Sequence, residues 1–518
     1  MPPVLSDWRA ARRRQSLEPL RAEVAEARPE TCIWMPAHNT QGYGLLRILF
    51  LYYELPFTFD KIKGMENRIH IDNRHFYRTL LAVAVPIALQ NLISSSFFLV
   101  DTVMVGKLGE LALASTGLAT QVFHVHWMMI FGFCTGCSTF YSQFWGAKDL
   151  PNIRKVVGVA WTFCMAASLL FFCAGLFAPQ GVLALFTNDP SAKIVGTGYL
   201  RIAAVNFLLV AAAQPLVAAL RSTQQAKIPL YITIIAFFTN TVLNYGLIFG
   251  KLGMPRMEVR GAALATVISR LVELLATAYF VFGRKNVLSG KLKEFFAFDR
   301  GFMVRVLKNA SATTANETLW GAGIAAQNAA YGRMGVTAFA AYKAASSIAD
   351  FFLMACFATS AASLVLLGEQ LGQGNYDYAK ALSRKLLHVG LGFSVFMAAL
   401  MYLCRAPFIG LFTLTDEAKL WTNRILLITA LVQPLQNHNA FQVCGTMRSG
   451  GDARFAAICE VATVWVIRVP LAFFGALVLK LPIYLVALLC EAESVIKAVI
   501  LYVRYRSDKW MKNMIEGM

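Results

Sequence analysis

Residues 97–110 read Phe97-Phe-Leu-Val-Asp-Thr-Val-Met-Val-Gly-Lys-Leu-Gly-Glu110, an apolar run interrupted by one acid, Asp101. From Thr79 to Val100 the chain carries no ionisable side chain. A run of about 20 apolar residues is enough to cross the hydrocarbon core of a bilayer. A carboxylate set about two helical turns inside the end of such a span is costly to keep charged, and acids so placed usually serve a pathway or a partner. The stretch therefore predicts a transmembrane helix with a functional acid.

The rest of the 518-residue chain fits that setting, being 57% hydrophobic and 15% charged, against about 45–50% and 25% for soluble domains. The apolar residues fall in repeated segments of about 20, joined by short loops, which predicts an all-α polytopic membrane protein. The ten-residue alternation of a transmembrane β-barrel is absent from the sequence. A net charge of +19 does not imply nucleic acid, because the basic residues gather in loops, as they do on the cytoplasmic side of membrane proteins. Cys134 and Cys137 match C-x-x-C, but inside an apolar span and without a βαβ context they read as small buried hydrophobes.

Residues 1–64 stand apart: a basic run at Arg9–Arg14, an acidic Ala-rich stretch, then an apolar patch, Leu45–Leu55, too short to span. They read as a poorly ordered extension, or as the product of a start called too early, with Met65 the start of the working protein. Twelve spans follow, at roughly 79–104, 112–144, 154–178, 194–220, 228–250, 261–283, 302–331, 338–366, 381–404, 416–446, 453–478 and 482–504. An even number puts both ends of the spanning region on one side. The loops on that side carry 24 Lys and Arg against about nine on the other, so both termini are expected in the cytoplasm. The expected domains are an N-lobe at 65–283, a cytoplasmic linker at 284–301, a C-lobe at 302–505 and a tail at 506–518.

The two halves are a repeat. Asp101-Thr-Val-Met-Val-Gly-Lys-Leu-Gly109 aligns with Gln327-Asn-Ala-Ala-Tyr-Gly-Arg-Met-Gly335 at an offset of 226, and Gly146-Ala-Lys-Asp149 with Gly372-Gln-Gly-Asn375 at the same offset. Leu185-Phe-Thr repeats as Leu411-Phe-Thr at 226, while Arg221-Ser222 with Arg448-Ser449, and Ala226-Lys227 with Ala453-Arg454, need 227. Six spans per half give the copies parallel topology. The expectation is two six-helix bundles related by a pseudo-twofold axis along the membrane normal, the arrangement of transporters whose halves rock about a central site. Asp101 has Gln327 as its counterpart, so the scaffold is doubled and the titratable group is not. Between Asn309 and Gly332, fifteen of 24 residues are Ala, Gly, Ser or Thr, a composition that packs helices closely, so Glu317 in that run should face protein or a cavity.

These blocks resemble the multidrug and toxic compound extrusion (MATE) family. The resemblance rests on VDTVMVGKLGELALASTGLATQV, SQFWGAKD, LRSTQQAK, the pair Asn240 and Asn244, NETLWGAG, YGRMG and MRSGGDA, in this order across residues 75–505. It implies a cation-coupled efflux pump in which two six-helix lobes form a V around a central cavity and inward Na⁺ or H⁺ is exchanged for outward drugs. Similarity to the branch of DNA-damage-inducible protein F implies that Asp101 is the proton or sodium group, clustered with Tyr199, Asn240 and Asn244. It also implies that Pro86 is linked to bending of the first helix. Similarity to the NorM branch implies a role for Glu317; the tenth-helix aspartate of that branch is matched only by Asn437.

Read from the residues, Asn240 and Asn244 at i, i+4 share a helix face, and with Asp101 and a hydroxyl they offer a partial oxygen set for Na⁺; a proton needs the carboxylate alone. Arg270 with Glu273 and Glu493 with Lys497 read as structural pairs, Glu460 and Arg468 as helix anchors, and His124 and His126 at i, i+2 point to different faces. Trp127, Trp145, Trp161 and Trp421 fit an interfacial belt as well as a drug-stacking wall. No G-x-x-x-x-G-K-[ST] loop is present, which argues against a built-in ATPase. The expected function is a secondary multidrug antiporter of the bacterial inner membrane, a monomer with no enzymatic activity and no cofactor beyond the coupling ion, H⁺ or Na⁺. Its partners would be drugs or toxic metabolites and the lipid bilayer. The alternative is a lipid-linked oligosaccharide flippase, disfavoured because the early spans carry acids and amides rather than the cationic lining that pyrophosphate needs.

Overall fold

Twelve long helical segments follow one another in the computed structural model, which describes residues 71–518 apart from 186–189, 285, 411 and 413. The extension 1–64 and the expected start at Met65 lie outside these residues. Among the described residues every regular element is helical. In the first half they are α1 (Asn73–Gly106), α2 (Glu110–Gly146), α3 (Leu150–Phe177), α4 (Pro190–Ala203, resuming as Val205–Ser222), α5 (Lys227–Phe249) and α6 (Glu258–Ala278, ending in a π turn, Tyr279–Gly283). In the second half they are α7 (Arg300–Gly332), α8 (Val336–Gly372), α9 (Tyr376–Ile409) and α10 (Asp416–Ala440, then π-helical over Phe441–Met447). These are followed by α11 (Ala453–Thr463, running on through two π turns to Val478) and α12 (Ile483–Cys490, resuming as Ala492–Arg506). Eight of these helices are long and apolar enough to cross a membrane on length and composition alone.

Local chemistry explains several boundaries. Asp72, Asp149, Asp299 and Thr415 cap α1, α3, α7 and α10 by accepting from backbone N–H groups of the first turn, which satisfies donors the helix cannot. Before α2 and α8 stand Gly109 and Gly335, with φ of +113° and +105°, values that glycine alone adopts without strain. They are 226 residues apart, so the repeat extends to its turns.

Packing follows the same repeat. In the first half α1 packs on α5, α2 on α3 and α4, α3 on α4, α4 on α6 and α5 on α6; each contact recurs between α7 and α12. The lobes meet where α2 packs on α7 and α8 packs on α1, contacts that a twofold exchanges, and where α2 meets α8. The seam lies in the half of the bundle that holds the start of α1 and the tail after Arg506, and there it is tight. A Cβ on Gly146 would lie 1.9 Å from the Glu369 carbonyl oxygen, and one on Gly372 would lie 1.9 Å from that of Gln143. Gln143 and Glu369 are again 226 apart. Thr313 Oγ1 donates to the Gly132 carbonyl at 2.8 Å, and Asn309 Nδ2 to that of Gly136 at 3.0 Å.

Two connecting segments are docked. In the 284–301 linker, Phe295 is fully buried; its carbonyl sits where a Cβ on Gly158 would be 1.7 Å away, and Glu294 pairs with Arg154 at 2.7 Å. The tail after Arg506 returns beneath the bundle. Trp510 is fully buried, and Gln143 of α2 donates to the Lys512 carbonyl at 3.1 Å and accepts from the Met514 N–H at 2.6 Å.

Candidate functional site

Asp101 sits on α1, the last charged position before the helix ends at Gly106. Opposite it runs α5, whose Asn240 and Asn244 are both buried. One amide group does two jobs: Asn244 Nδ2 donates to Asp101 Oδ1 and to Asn240 Oδ1, each at 2.9 Å. Asn244 Oδ1 and Asn240 Nδ2 are buried without a hydrogen-bond partner, and such orphaned groups are costly unless a further group meets them. Tyr199 of α4 is buried in a cluster with Val105, one turn beyond Asp101, and lies within electrostatic range of the carboxylate. Thus the four N-lobe residues singled out in the sequence come together. The donor set is a carboxylate and two amides, which suits a proton or a hard cation. Among the described residues no three His, Cys, Asp or Glu side chains cluster to hold a metal.

Pro86 lies inside α1. Lacking an N–H, it leaves the Ala82 carbonyl without its intrahelical bond, while α1 continues without a break. One turn on, Gln90 is buried and uses both ends of its amide: Nε2 donates to Thr233 Oγ1 of α5 at 2.9 Å, and Oε1 accepts from Arg221 Nε of α4 at 3.0 Å.

A family model described as MatE matches residues 86–246 and 322–474, more than half of the chain and one block in each lobe. The chain belongs to the MatE family. Among its relatives are "Probable multidrug resistance protein YoeA" of Bacillus subtilis (strain 168), 25% identical over 85% of this chain and 95% of that protein, and "Multidrug resistance protein NorM" of Burkholderia vietnamiensis, 27% identical over 76% and 86%. A solved structure described as "Crystal structure of MATE in complex with MaL6" is similar with a TM-score of 0.76 at 17% identity, covering 83% of this chain and 95% of that one. This MatE transporter therefore has the twelve-helix, two-lobe fold, and it is a multi-pass membrane protein.

The C-lobe of this MatE chain is built differently. Glu317 Oε1 accepts from Arg448 Nη2 at 2.6 Å, and both are largely buried at the seam, with Gly132 of α2 beside the Glu317 side chain. Glu460 accepts from Asn316 at 2.7 Å and lies 3.6 Å from Lys497; Lys497 also pairs with Glu493 at 2.8 Å. Arg468 reaches Glu491 at 3.2 Å and Glu493 at 3.4 Å. Where the N-lobe has Asp101, the C-lobe has Gln327, which donates to the Tyr331 hydroxyl at 2.9 Å. Asn437 donates to the Gly390 carbonyl of α9 at 3.2 Å.

The sequence reading missed Gln90, Arg221, Arg448 and Glu491. Arg221 and Arg448 were visible as repeat partners, and that symmetry was the available signal that both are held by the first helix of their lobe. His126, buried, shares a 2.6 Å hydrogen bond with Ser168 while His124 is exposed, as their spacing predicts. Arg270 and Glu273 pair at 2.6 Å. Trp161 donates to the Ala212 carbonyl and packs on Phe295, so it serves the lobe interior.

Proposed function

We propose that this MatE protein is a cation-driven antiporter of the bacterial inner membrane, working as a monomer with both termini in the cytoplasm. It exports small amphipathic, often cationic compounds by alternating access. The observation that carries the reading is the Asp101 rung: an intramembrane carboxylate held by the neutral amide of Asn244 beside an unpartnered buried amide oxygen. A fixed cation in place of Asn244 would neutralise the acid permanently; an amide leaves its charge free to be met by a travelling ion. A proton would sit on the Asp101 carboxyl, and Na⁺ would use its oxygens with Asn244 Oδ1 and, after an amide flip, Asn240 Oδ1. Four acids of the C-lobe, Glu317, Glu460, Glu491 and Glu493, support an N-lobe assignment, since Arg448, Arg468 and Lys497 already engage them. Glu317 is the second candidate, and its pair with Arg448 would have to open before it took an ion. The names of the relatives, multidrug resistance proteins, favour drugs over oligosaccharide lipids as cargo.

The energetics suffice. One cation crossing 100 mV yields about 2.3 kcal/mol, which sustains a roughly fifty-fold gradient of a neutral substrate at 1.4 kcal/mol per decade. The test is ethidium efflux from cells expressing wild type or Asp101→Asn, with Na⁺ and pH varied separately. Efflux should follow one of the two ions in wild type and lose that dependence in the variant. Equal efflux from both proteins at every condition would sink the assignment.

A further inference from the structure

We propose that Gln90 is a positioning residue for coupling, the fixed rung against which α1 swings when the Asp101 rung changes; this rests on the assignment of Asp101 above. Two hydrogen-bonded rungs join α1 to α5: Gln90 with Thr233, and Asp101 with Asn244. They are spaced eleven residues apart on both helices, close to three turns, so both lie on the facing sides of a parallel pair. Their chemistry differs. The Asp101 rung contains a carboxylate, and its bond from Asn244 weakens when the charge is met by an ion. The Gln90 rung contains no carboxylate, and Arg221, which also holds Gln90, keeps its charge throughout.

Position adds to chemistry. Below Gln90, α1 packs through Phe76, Leu80, Val83 and Ile87 on α8 of the other lobe; above it, Val105 packs within the N-lobe. Gln90 marks the changeover, four residues past the backbone gap at Pro86. With a rise of 1.5 Å per residue, a bend of about 20° at Pro86 moves Gln90 by roughly 2 Å and Asp101 by roughly 8 Å. A rung close to the pivot survives such a motion, and the distant one does not.

The repeat supplies an independent control. At the offsets of 226 and 227, Gln90 with Thr233 corresponds to Asn316 with Glu460, and that pair is also hydrogen-bonded, at 2.7 Å. Arg221, which holds Gln90, corresponds to Arg448, which holds Glu317 next to Asn316. The lower rung is therefore present in both lobes, and the upper, titratable rung in one. The C-lobe rung is locked further by Lys497. A shared anchor with a single switch lets one lobe respond while the other serves as frame.

The test uses the full chain in proteoliposomes, with ethidium as cargo and H⁺ and Na⁺ gradients imposed separately. Gln90→Leu, which removes both bonds, should bind ethidium within about two-fold of wild type but lose about ten-fold in ion-driven rate. Gln90→Glu, which accepts from both Thr233 and Arg221, should restore the rate. Spin labels at the exposed positions Val103 and Leu252 should report an ion-induced distance change in wild type, while labels at the exposed Leu81 and Tyr231 stay fixed; in Gln90→Leu the second pair should move as well. If Gln90→Leu only lowers the amount of protein, with wild-type ion dependence per molecule, Gln90 is a structural tie and the proposal is overturned. Thr233→Val, read in the same way, replaces Gln90→Leu if the latter does not fold. Asp101→Asn run in parallel separates the two readings. Ion dependence that persists in it defeats the Asp101 assignment itself, whereas its loss together with a wild-type Gln90→Leu defeats only the pivot.

Discussion

An acid that must take up and release an ion needs partners that orient it without neutralising it, and an acid that holds helices together needs the opposite. The surroundings of Asp101 and Glu317 differ along that line. Asn244 gives Asp101 one hydrogen bond at 2.9 Å and no charge. Asn244→Ala should therefore leave ethidium binding intact while shifting the half-saturating ion concentration by about ten-fold, since a hydrogen bond to a charged group contributes about 1.5–3 kcal/mol; an ion titration of transport rate checks it. Glu317 instead faces Arg448, a guanidinium with almost no exposure. Removing one partner of such a pair strands a buried charge at a cost of about 3–5 kcal/mol. Arg448→Leu should accordingly lower the thermal unfolding midpoint sharply, and Glu317→Gln combined with Arg448→Leu should regain much of the loss. If the double variant is no more stable than the single one, the pair is not what holds this part of the seam.

At the scale of helices, much was legible in advance because the signals are local. The apolar run before Asp101 marked α1, the blocks ending at Gly109 and Gly335 marked the repeat, and Glu493 with Lys497 at i, i+4 foretold a pair the structure forms at 2.8 Å. What could not be read was set by distant contacts. The network of Glu460, Glu491 and Arg468 joins α11 and α12 across 20 to 40 residues, and the break in α12 at Glu491 coincides with that residue's turn towards Arg468 and Gln436. The Asp299 cap of α7 offers a pH test at this scale. The backbone N–H groups of Phe302 and Gly301 hold its carboxyl below the ordinary aspartate range. A depressed carboxyl stabilises the fold above its unfolded value of about 3.9 and loses that contribution as pH falls through the lower folded one. The stability difference between wild type and Asp299→Ala should thus be constant from neutral pH to about pH 4 and shrink below it. A difference that stays constant in acid would mean that the carboxylate is not the cap.

For the whole molecule, the alternating access proposed above would require the seam between the lobes to open and close, and the structure holds it closed at the end that carries the start of α1 and the tail after Arg506. The contact there is nearly self-symmetric: Gly146 against Glu369, and Gly372 against Gln143. In each case the first atom an added Cβ would meet is a backbone carbonyl oxygen at 1.9 Å, which cannot step aside as the end of a flexible side chain could. Gly146→Val and Gly372→Val should therefore act as wedges. Each is expected to widen the distance between spin labels on Lys148 and Asn375, which are exposed in the flanking turns, and to slow transport at least ten-fold by disfavouring the state closed at this face. Because the twofold exchanges the two contacts, the effects should be similar in size. The side chains around them do break the symmetry: Gln143 is bonded by the tail at Lys512 and Met514, whereas Glu369 receives Gln224 from the turn between α4 and α5. If the tail bears on closure as well, Gly372→Val, whose Cβ would meet the backbone of Gln143, the tail's own partner, should widen the labels more than Gly146→Val. Equal widening would assign closure to the glycine contacts alone, and no widening in either variant would show that this seam is not the gate.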